Sequence, residues 1–331
     1  MAEVSLKGLS KKFEQTQAVA DVSMTIPDGA FVVLLGPTGA GKTTTLRLIA
    51  GLEKPDAGDV LIDGQSVLAD MPAQRDVAMV FQQYSLYPHL SVRENLAFPL
   101  RSPVLNVAEP EIAKRVAEVA SVLQIAHKLD NKATQLSGGE MQRVSIGRAL
   151  IRSPRIYLMD EPLSSLDAKL RADLRVELKR IHSEMGATFL YVTHDQIEAM
   201  TMATHVGVLD HGRLVQFGTP REIYEDPVSA YVATRLGQPR INLLPVALFG
   251  DAPQGAAQIG LRPEHIAIGS GKQATVRRVE RLGDQTRLHL TCDGHDLITL
   301  TDVHTSLAGG ETIAIHPENP LWFDASGNRI R

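Results

Sequence analysis

The sequence predicts an α/β domain with a largely parallel sheet, followed by a small all-β domain. Over roughly the first 230 residues, short apolar runs alternate with amphipathic segments of helical spacing, a pattern typical of parallel sheets covered by helices. After about Tyr231 the chain becomes rich in proline and glycine, and short runs of alternating polarity follow, separated by turn residues. We therefore predict two domains, covering residues 1–235 and 236–331.

The predicted elements follow from these patterns. The segment up to Gly29 resembles antiparallel strands, and five apolar runs are predicted as strands of the main sheet: 31–35, 77–81, 156–159, 189–192 and 206–209. Helical spacing predicts helices over 44–50, 111–129 and 169–185. In the second domain, strands are predicted over 274–279, 286–291, 297–301 and 312–315, and these favour a small barrel.

Composition limits the class of protein. The net charge of −4 gives no reason to expect binding to nucleic acid. The single cysteine, Cys292, excludes an internal disulfide and agrees with a reducing compartment. The sequence contains neither an apolar run long enough to span a bilayer nor an N-terminal signal peptide. We therefore expect a soluble cytosolic chain, unless a partner holds it at a membrane.

The most informative motif is Gly-Pro-Thr-Gly-Ala-Gly-Lys-Thr at residues 36–43. Glycines at this spacing let backbone N–H groups turn inward around phosphate oxygens, and the helix that follows points its N-terminus at them. The Lys42 ammonium is suited to the β and γ phosphates, and the Thr43 hydroxyl to Mg²⁺. The predicted nucleotide-binding residues of this segment are Gly36, Pro37, Thr38, Gly39, Ala40, Gly41, Lys42, Thr43 and Thr44.

Two carboxylates follow the predicted strand over 156–159, where a parallel sheet places its ligands. Asp160 is predicted to hold Mg²⁺, and Glu161 to polarise an attacking water molecule. In isolation, such a pair is more often two solvated acids before a turn.

A second glycine motif, Ser137-Gly138-Gly139, precedes another predicted helix, of which Ser137 is the expected N-cap. The glycines allow backbone N–H groups to approach an anion. One chain has no evident need for two phosphate-facing loops. A symmetric dimer, in which each subunit offers this loop to the nucleotide of the other, explains both.

Together these motifs resemble the ATP-binding cassette (ABC) ATPases, and specifically the ATPase subunits of maltose-type, carbohydrate-uptake importers. The resemblance covers nearly the whole chain. The string Val-Phe-Gln-Gln-Tyr-Ser-Leu-Tyr-Pro-His at 80–89 resembles the Q-loop, Ser-Ser-Leu-Asp at 164–167 the D-loop, and Val-Thr-His-Asp at 192–195 the switch region. Residues 221–227 and 260–265 resemble the end of the nucleotide domain and the start of an OB-like (TOBE) barrel.

This resemblance implies roles for further residues. Gln82 would contact the metal and the attacking water, His194 would sense the γ-phosphate, and Phe13 would stack on adenine. The signature residues Ser137 to Glu140, together with Asp167, would bind nucleotide across the dimer. The implied cofactors are ATP and Mg²⁺. The implied partners are a second copy of the chain, two transmembrane permease subunits and an external solute-binding protein, with the chain peripheral on the cytoplasmic face of the membrane.

Two departures from the family pattern and three alternatives stay open. Glu140 stands where the family has glutamine, and residues 245–260 are shorter than in fuller members. The chain could instead serve a polyamine- or metal-type importer. A soluble ABC-type ATPase acting on DNA or ribosomes is disfavoured by the single cassette and the negative charge. An inactive scaffold is disfavoured because Lys42, Asp160, Glu161 and His194 are all present.

Overall fold

The chain divides after Pro220 in the computed structural model. The structure describes residues 2–102, 105, 107–250 and 252–331. The strands of the first unit are β1 (Val4–Phe13), β2 (Thr16–Ile26), β3 (Phe31–Leu35), β4 (Ala57–Ile62), β5 (Gln65–Ser66), β6 (Val77–Val80), β7 (Ile156–Asp160), β8 (Thr188–Thr193), β9 (His205–Asp210) and β10 (Arg213–Gly218).

The main sheet has six strands in the order β10-β9-β3-β8-β7-β6, and all neighbours are parallel except β10 and β9. Every residue of β3, β7 and β8 is buried. Burial on both faces explains why these strands read as continuous apolar runs rather than as alternating ones. The predicted antiparallel opening is also confirmed, because β1 and β2 pair in a separate four-stranded sheet of order β2-β1-β4-β5.

Eight α-helices occur in the described part of the chain: α1 (Lys42–Ala50), α2 (Val92–Ala97), α3 (Glu109–Val122), α4 (Gly138–Leu150), α5 (Ala168–Met185), α6 (Gln196–Met202), α7 (Pro220–Glu225) and α8 (Ala230–Ala233). Short 3-10 turns lie at Pro72–Gln74, Phe98–Arg101, Ala126–Lys128, Ala133–Gln135, Val246–Leu248 and Pro263–His265. None of the helices in these described ranges is long and apolar enough to cross a bilayer.

The helix predicted over 111–129 is wrong at its C-terminal end. Helix α3 stops at Val122, and Gln124 has a φ of 56°. A left-handed residue cannot continue a right-handed helix, so the chain turns there. The amide of Ile125 then bonds back to Ala120, and a 3-10 turn follows at Ala126–Lys128.

The second unit consists mainly of short antiparallel strands. They are β11 (Asn242–Pro245), β12 (Gln258–Leu261), β13 (Ile266–Arg281), β14 (Thr286–Cys292), β15 (His295–Thr301), β16 (Thr312–Pro317), β17 (Leu321–Phe323) and β18 (Arg329–Ile330). They form two four-stranded sheets, β11-β12-β17-β18 and β15-β14-β13-β16. Leu244 and Ile259 of one sheet share a core with Leu288 and Leu290 of the other, and Cys292 lies in that core as a small buried strand residue.

The second unit begins at Arg221, ahead of the predicted boundary at residues 235 and 236. Helices α7 and α8 explain the difference, because they are tied to the β-strands that follow them. The buried Arg262 guanidinium donates hydrogen bonds to the carbonyl oxygens of Tyr224, Ala233 and Leu236. Ala233 also packs with Phe323 in a small apolar cluster. The extent of the nucleotide-binding domain itself stays a prediction.

Candidate functional site

The parallel strands of the main sheet bring the predicted catalytic residues to one edge. The P-loop follows β3, Gln82 follows β6, Asp160 ends β7 and His194 follows β8. These four strands are neighbours in the order β3-β8-β7-β6 and point the same way. Because the carboxyl ends of parallel strands meet at one edge, residues distant in sequence converge there.

The P-loop wraps around its own lysine. Lys42 is the first residue of α1, and its side chain is almost fully buried. Its ammonium donates to the carbonyl oxygens of Gly36 and Pro37 at 2.9 and 3.0 Å. The same Nζ lies 3.4 Å from Glu161 Oε1. A buried cation held this way provides a fixed positive charge for an anionic ligand.

Glu161 lies between this lysine and His194. Its second carboxylate oxygen, Oε2, is 2.9 Å from His194 Nδ1. The backbone of Glu161 is unusual, with a φ of 43°. Its amide bonds to Val192 and its carbonyl accepts from Ser164, so the strained conformation is held from both sides.

Thr43 and Asp160 form an oxygen pair beside this group. The Thr43 hydroxyl donates to Asp160 Oδ1 at 2.8 Å. Burial is the main cause that raises the pKa of Asp160 above its ordinary value, while the Thr43 hydrogen bond acts in the opposite direction. An uncharged hydroxyl next to a buried carboxylate is the hard oxygen set that Mg²⁺ prefers. These two residues therefore fit the predicted metal role.

A cavity of about 360 Å³ lies over the P-loop. Of the predicted residues, Thr38, Gly39, Gly41, Lys42, Thr43, Thr44, Gln82 and Glu161 line it. Thr16 and Ala18 of β2 also line it, and sequence reasoning missed both. They lie in a strand outside any recognised motif, so the sequence does not mark them. They reach the site only because the β1–β2 sheet packs there.

Four other predicted nucleotide residues, Phe13, Gly36, Pro37 and Ala40, are not among the residues that line this cavity. The Ala40 amide bonds to the Pro37 carbonyl, and its own carbonyl accepts from Gly212. Ala40 therefore stabilises the shape of the P-loop through its backbone and does not line the cavity. Phe13 is 40 % exposed at the end of β1, with the Lys11 ammonium 5.3 Å from its ring centre. Its stacking on adenine stays a prediction.

The signature segment lies outside this cavity as far as the structure describes it. Ser137 is the N-cap of α4, as predicted, and forms a reciprocal capping box with Glu140. The Ser137 amide donates to Glu140 Oε2 at 2.8 Å, and Lys128 lies 3.1 Å from Oε1. These contacts, the Ser137 amide first, lower the pKa of Glu140. The Glu140 carboxylate therefore caps the N-terminus of α4.

Gly139 and Asp167 each make a contact that contributes to the packing or capping of a helix. A Cβ on Gly139 would lie 2.1 Å from a methyl carbon of Leu170, so a larger residue there would require the Leu170 side chain to move. Asp167 caps α5 by accepting the Leu170 amide at 3.0 Å. Gly138 is more open, and Tyr84 is its nearest neighbour. The nucleotide roles of these residues stay predictions, and in a single chain none of them lines the described cavity.

Comparison with known proteins agrees with this geometry. Residues 19–164 match the ABC transporter family, and residues 259–323 match the TOBE domain family. The chain is 42% identical to the sn-glycerol-3-phosphate import ATP-binding protein UgpC of Cupriavidus pinatubonensis, and 44% identical to that of Rhizobium meliloti. Both matches cover the whole of each chain.

Solved structures support the same assignment for the first unit. The dimeric structure of a bacterial ABC transporter cassette superposes with a TM-score of 0.60 at 31% identity, over 66% of this chain and 99% of that one. A dimeric post-hydrolysis cassette bound to ADP and Pi gives a TM-score of 0.59 at 33% identity, with the same shares covered. The predicted fold and ATPase activity are therefore confirmed, and the chain belongs to the ABC transporter family as an ATP-hydrolysing import ATP-binding protein with a C-terminal TOBE domain.

Proposed function

We propose that the chain is the motor subunit of an importer for sn-glycerol-3-phosphate or a closely related sugar-like solute. It works as a homodimer on the cytoplasmic face of the membrane, beneath two permease subunits that receive solute from an external binding protein. The solute class is supported by the names of the relatives that match over the full chain. No polyamine- or metal-type importer is needed to explain these matches.

The observation that carries the homodimer is the division of the site. One chain gathers the P-loop, Gln82 and Glu161 around a cavity, but Ser137 and Gly138 do not line it. A second copy, facing the first, supplies them. ATP then bridges two subunits, so binding closes the dimer and hydrolysis releases it. Such a cycle converts the energy of ATP into a movement that permeases can use.

Within each site, the residues have separate tasks. The Lys42 ammonium binds phosphate oxygens, and Glu161 accepts a proton from the attacking water. His194, bonded to Glu161 through Nδ1, orients that carboxylate, and its exposed imidazole is available to sense the γ-phosphate. Thr43, Asp160 and Gln82 would hold Mg²⁺, which when bound neutralises charge on the transferred phosphoryl group.

The shared site predicts a specific pattern of rescue. Gly138→Asp places a negative charge toward the partner's nucleotide and should abolish hydrolysis, as should Lys42→Ala. A heterodimer of these two variants has one site with both lesions and one with neither. We expect it to regain up to half of the normal ATPase rate, measured on dimers isolated with two different affinity tags.

The control for this experiment is Gly138→Ala, because a Cβ there lies 3.2 Å from the Tyr84 hydroxyl without adding charge. It should retain most activity as a homodimer. A heterodimer no more active than either parent would count against shared sites.

The solute is tested separately, with the reconstituted importer. Binding protein loaded with sn-glycerol-3-phosphate should stimulate ATP hydrolysis, whereas maltose and spermidine should not. Stimulation by either of the other two instead would overturn the proposed solute while leaving the ATPase assignment intact.

The permease contact is proposed at a groove of about 250 Å³ in the first unit. Phe81, Tyr87 and Phe98 line it, and the side chains of Phe81 and Phe98 are 38 and 47 % exposed. Tyr87 stands between Phe98, whose ring centre is 4.4 Å away, and the Arg148 guanidinium at 4.8 Å. An apolar groove with a held aromatic residue suits a short helix from a partner.

Tyr87→Ala should therefore weaken assembly with the permeases. Loss of a central aromatic anchor typically costs about 2 kcal/mol or more, which is roughly a thirtyfold fall in affinity. Basal ATPase activity of the isolated chain should persist, because the P-loop is untouched. Co-purification with the permeases and the melting temperature give the two readouts.

Two variants serve as controls for Tyr87→Ala. Tyr87→Phe keeps the ring and should assemble normally, and Val176→Ala removes an apolar side chain that is 72 % exposed outside the groove. If Tyr87→Ala melts early but assembles normally, the tyrosine is a packing residue and the docking proposal is wrong.

A further inference from the structure

A second cavity, of about 530 Å³, lies entirely within the second unit. It is larger than the cavity over the P-loop. Its lining combines three arginines, Arg240, Arg277 and Arg278, with His289 and apolar residues. Asp296 is the one carboxylate among the lining residues. Neither the family matches nor the relatives assign a function to these side chains.

A β-bulge brings two consecutive arginines to this cavity. Val276 pairs with Leu290, and Arg278 pairs with the very next residue, His289, so Arg277 is the extra residue of β13. In a regular strand, neighbouring side chains point to opposite faces. The bulge re-aims one of them, and both Arg277 and Arg278 line the cavity.

The Arg277 guanidinium is positioned but not neutralised. Its Nε donates to the Thr291 hydroxyl at 2.8 Å, and Thr291 donates in turn to Asp296 at 2.7 Å. Both terminal nitrogens of Arg277 are left for another acceptor, because no described residue bonds to them or pairs with this arginine. Arg240 likewise makes no ion pair with any carboxylate in the described ranges.

The remaining charges do not cancel these two cations. Glu280 pairs with Arg278 and lies 3.2 Å from His289 Nε2, so its charge is already engaged. Asp296 accepts the Thr291 hydroxyl and forms no ion pair within the described residues. Arg240 and Arg277 are exposed and carry no ion pair with a described residue, and together they outnumber the one unpaired carboxylate of the lining, Asp296. The cavity therefore keeps a net positive charge that favours an oxyanion.

The walls of the cavity are fixed and partly apolar. The Asn242 side chain donates to the Ile298 carbonyl at 2.9 Å and accepts the Ile298 amide at 2.7 Å. These two hydrogen bonds between β11 and β15 connect the two sheets beside the arginines. Leu243 and Ile298 are half-buried and provide an apolar wall. Binding sites for small molecules typically combine such a wall with a few fixed polar groups.

We propose that this cavity binds a small organic phosphate. The phosphate accepts hydrogen bonds from Arg277, whose Nε is held by Thr291, and from Arg240, and the organic part lies against Leu243 and Ile298. A phosphate monoester carries nearly two negative charges at neutral pH, and the two unpaired arginines outnumber the one carboxylate, Asp296, that opposes its binding. Arginine forks bind phosphate oxygens in pairs, so these contacts give orientation as well as affinity. The shared chemistry admits inorganic phosphate as well as an ester.

The test uses the full chain with saturating ADP, so that nucleotide occupies the P-loop. Glycerol 3-phosphate, inorganic phosphate and uncharged glycerol are titrated by calorimetry. We expect glycerol 3-phosphate to bind, and the affinity to fall roughly tenfold or more in Arg277→Gln, because a charge-assisted hydrogen bond is lost. Inorganic phosphate that binds as tightly would identify the free ion as the source, and glycerol should not bind.

Two further variants keep the result interpretable. Arg240→Gln removes a side chain without described bonds, so it tests the site even if Arg277→Gln fails to fold. Arg281→Gln alters another exposed arginine of the same strand that does not line the cavity, and it should bind like the original chain. Absence of binding by either phosphate, or binding that is equal in Arg240→Gln, Arg277→Gln and Arg281→Gln, would overturn the proposal.

Discussion

Replacement of Glu161 by glutamine is expected to lower ATP hydrolysis by about two orders of magnitude or more, the upper part of the usual general-base contribution. Glutamine is nearly the same size but cannot accept a proton from water. ATP binding should persist, because Lys42 and the glycines of the P-loop are unchanged. The dimer should therefore accumulate with ATP trapped between its subunits.

The structure adds a second consequence of Glu161→Gln. The carboxylate of Glu161 lies near both the Lys42 ammonium and His194 Nδ1. Loss of its charge frees Lys42 from a competing anion, so affinity for ATP should rise rather than fall. The measurements are the steady-state ATPase rate, nucleotide affinity and the dimer fraction by size exclusion.

The variant His194→Ala serves as a control, because it distinguishes the role of Glu161 as the base from the role of His194 in orienting it. His194→Ala leaves the carboxylate in place and removes only the group bonded to it, so its loss of rate should be smaller or recoverable by added imidazole. Turnover near the normal rate in Glu161→Gln would show that another group activates the water.

Those parts of the site that consist of consecutive residues could be predicted from the sequence. The P-loop and the Asp160–Glu161 pair are each written in consecutive residues, and the parallel order of β3, β8, β7 and β6 then brings them together. The alternation of strands and helices predicts such an arrangement, since it leaves few topologies open. His194 and Gln82 also follow strands of this sheet, but their roles were predicted only from the resemblance to the family.

Features that depend on packing between distant segments could not be predicted in this way. Thr16 and Ala18 reach the nucleotide cavity through a sheet that meets the P-loop only in the folded chain. The end of α3 was missed because the apolar period continues past Gln124, whose backbone is left-handed. The close packing of Leu170 against Gly139 was also missed, because it joins two helices and is not visible in the sequence.

The contact between the P-loop and β2 leads to the last expected result. Gly41→Ala should destabilise the nucleotide domain strongly and abolish ATP binding. A Cβ at this position would lie 2.2 Å from the Ala18 carbonyl oxygen, and backbone rather than a flexible side chain would have to move. Gly41 also has a φ of 94°, which costs a residue with a side chain further energy. Because Gly41 directly precedes Lys42, any such shift displaces the ammonium and the start of α1.

Gly39→Ala separates the clash from the backbone strain. Gly39 has a similar φ of 82°, but a Cβ there would have no atom within 4 Å. Its cost should be limited to the left-handed conformation, about 1–2 kcal/mol. We therefore expect a modest fall in melting temperature for Gly39→Ala and a much larger one for Gly41→Ala, measured without nucleotide so that phosphate contacts do not contribute. Equal melting temperatures for the two variants would mean that the approach of β2 does not constrain the P-loop, and that Thr16 and Ala18 line the cavity without shaping it.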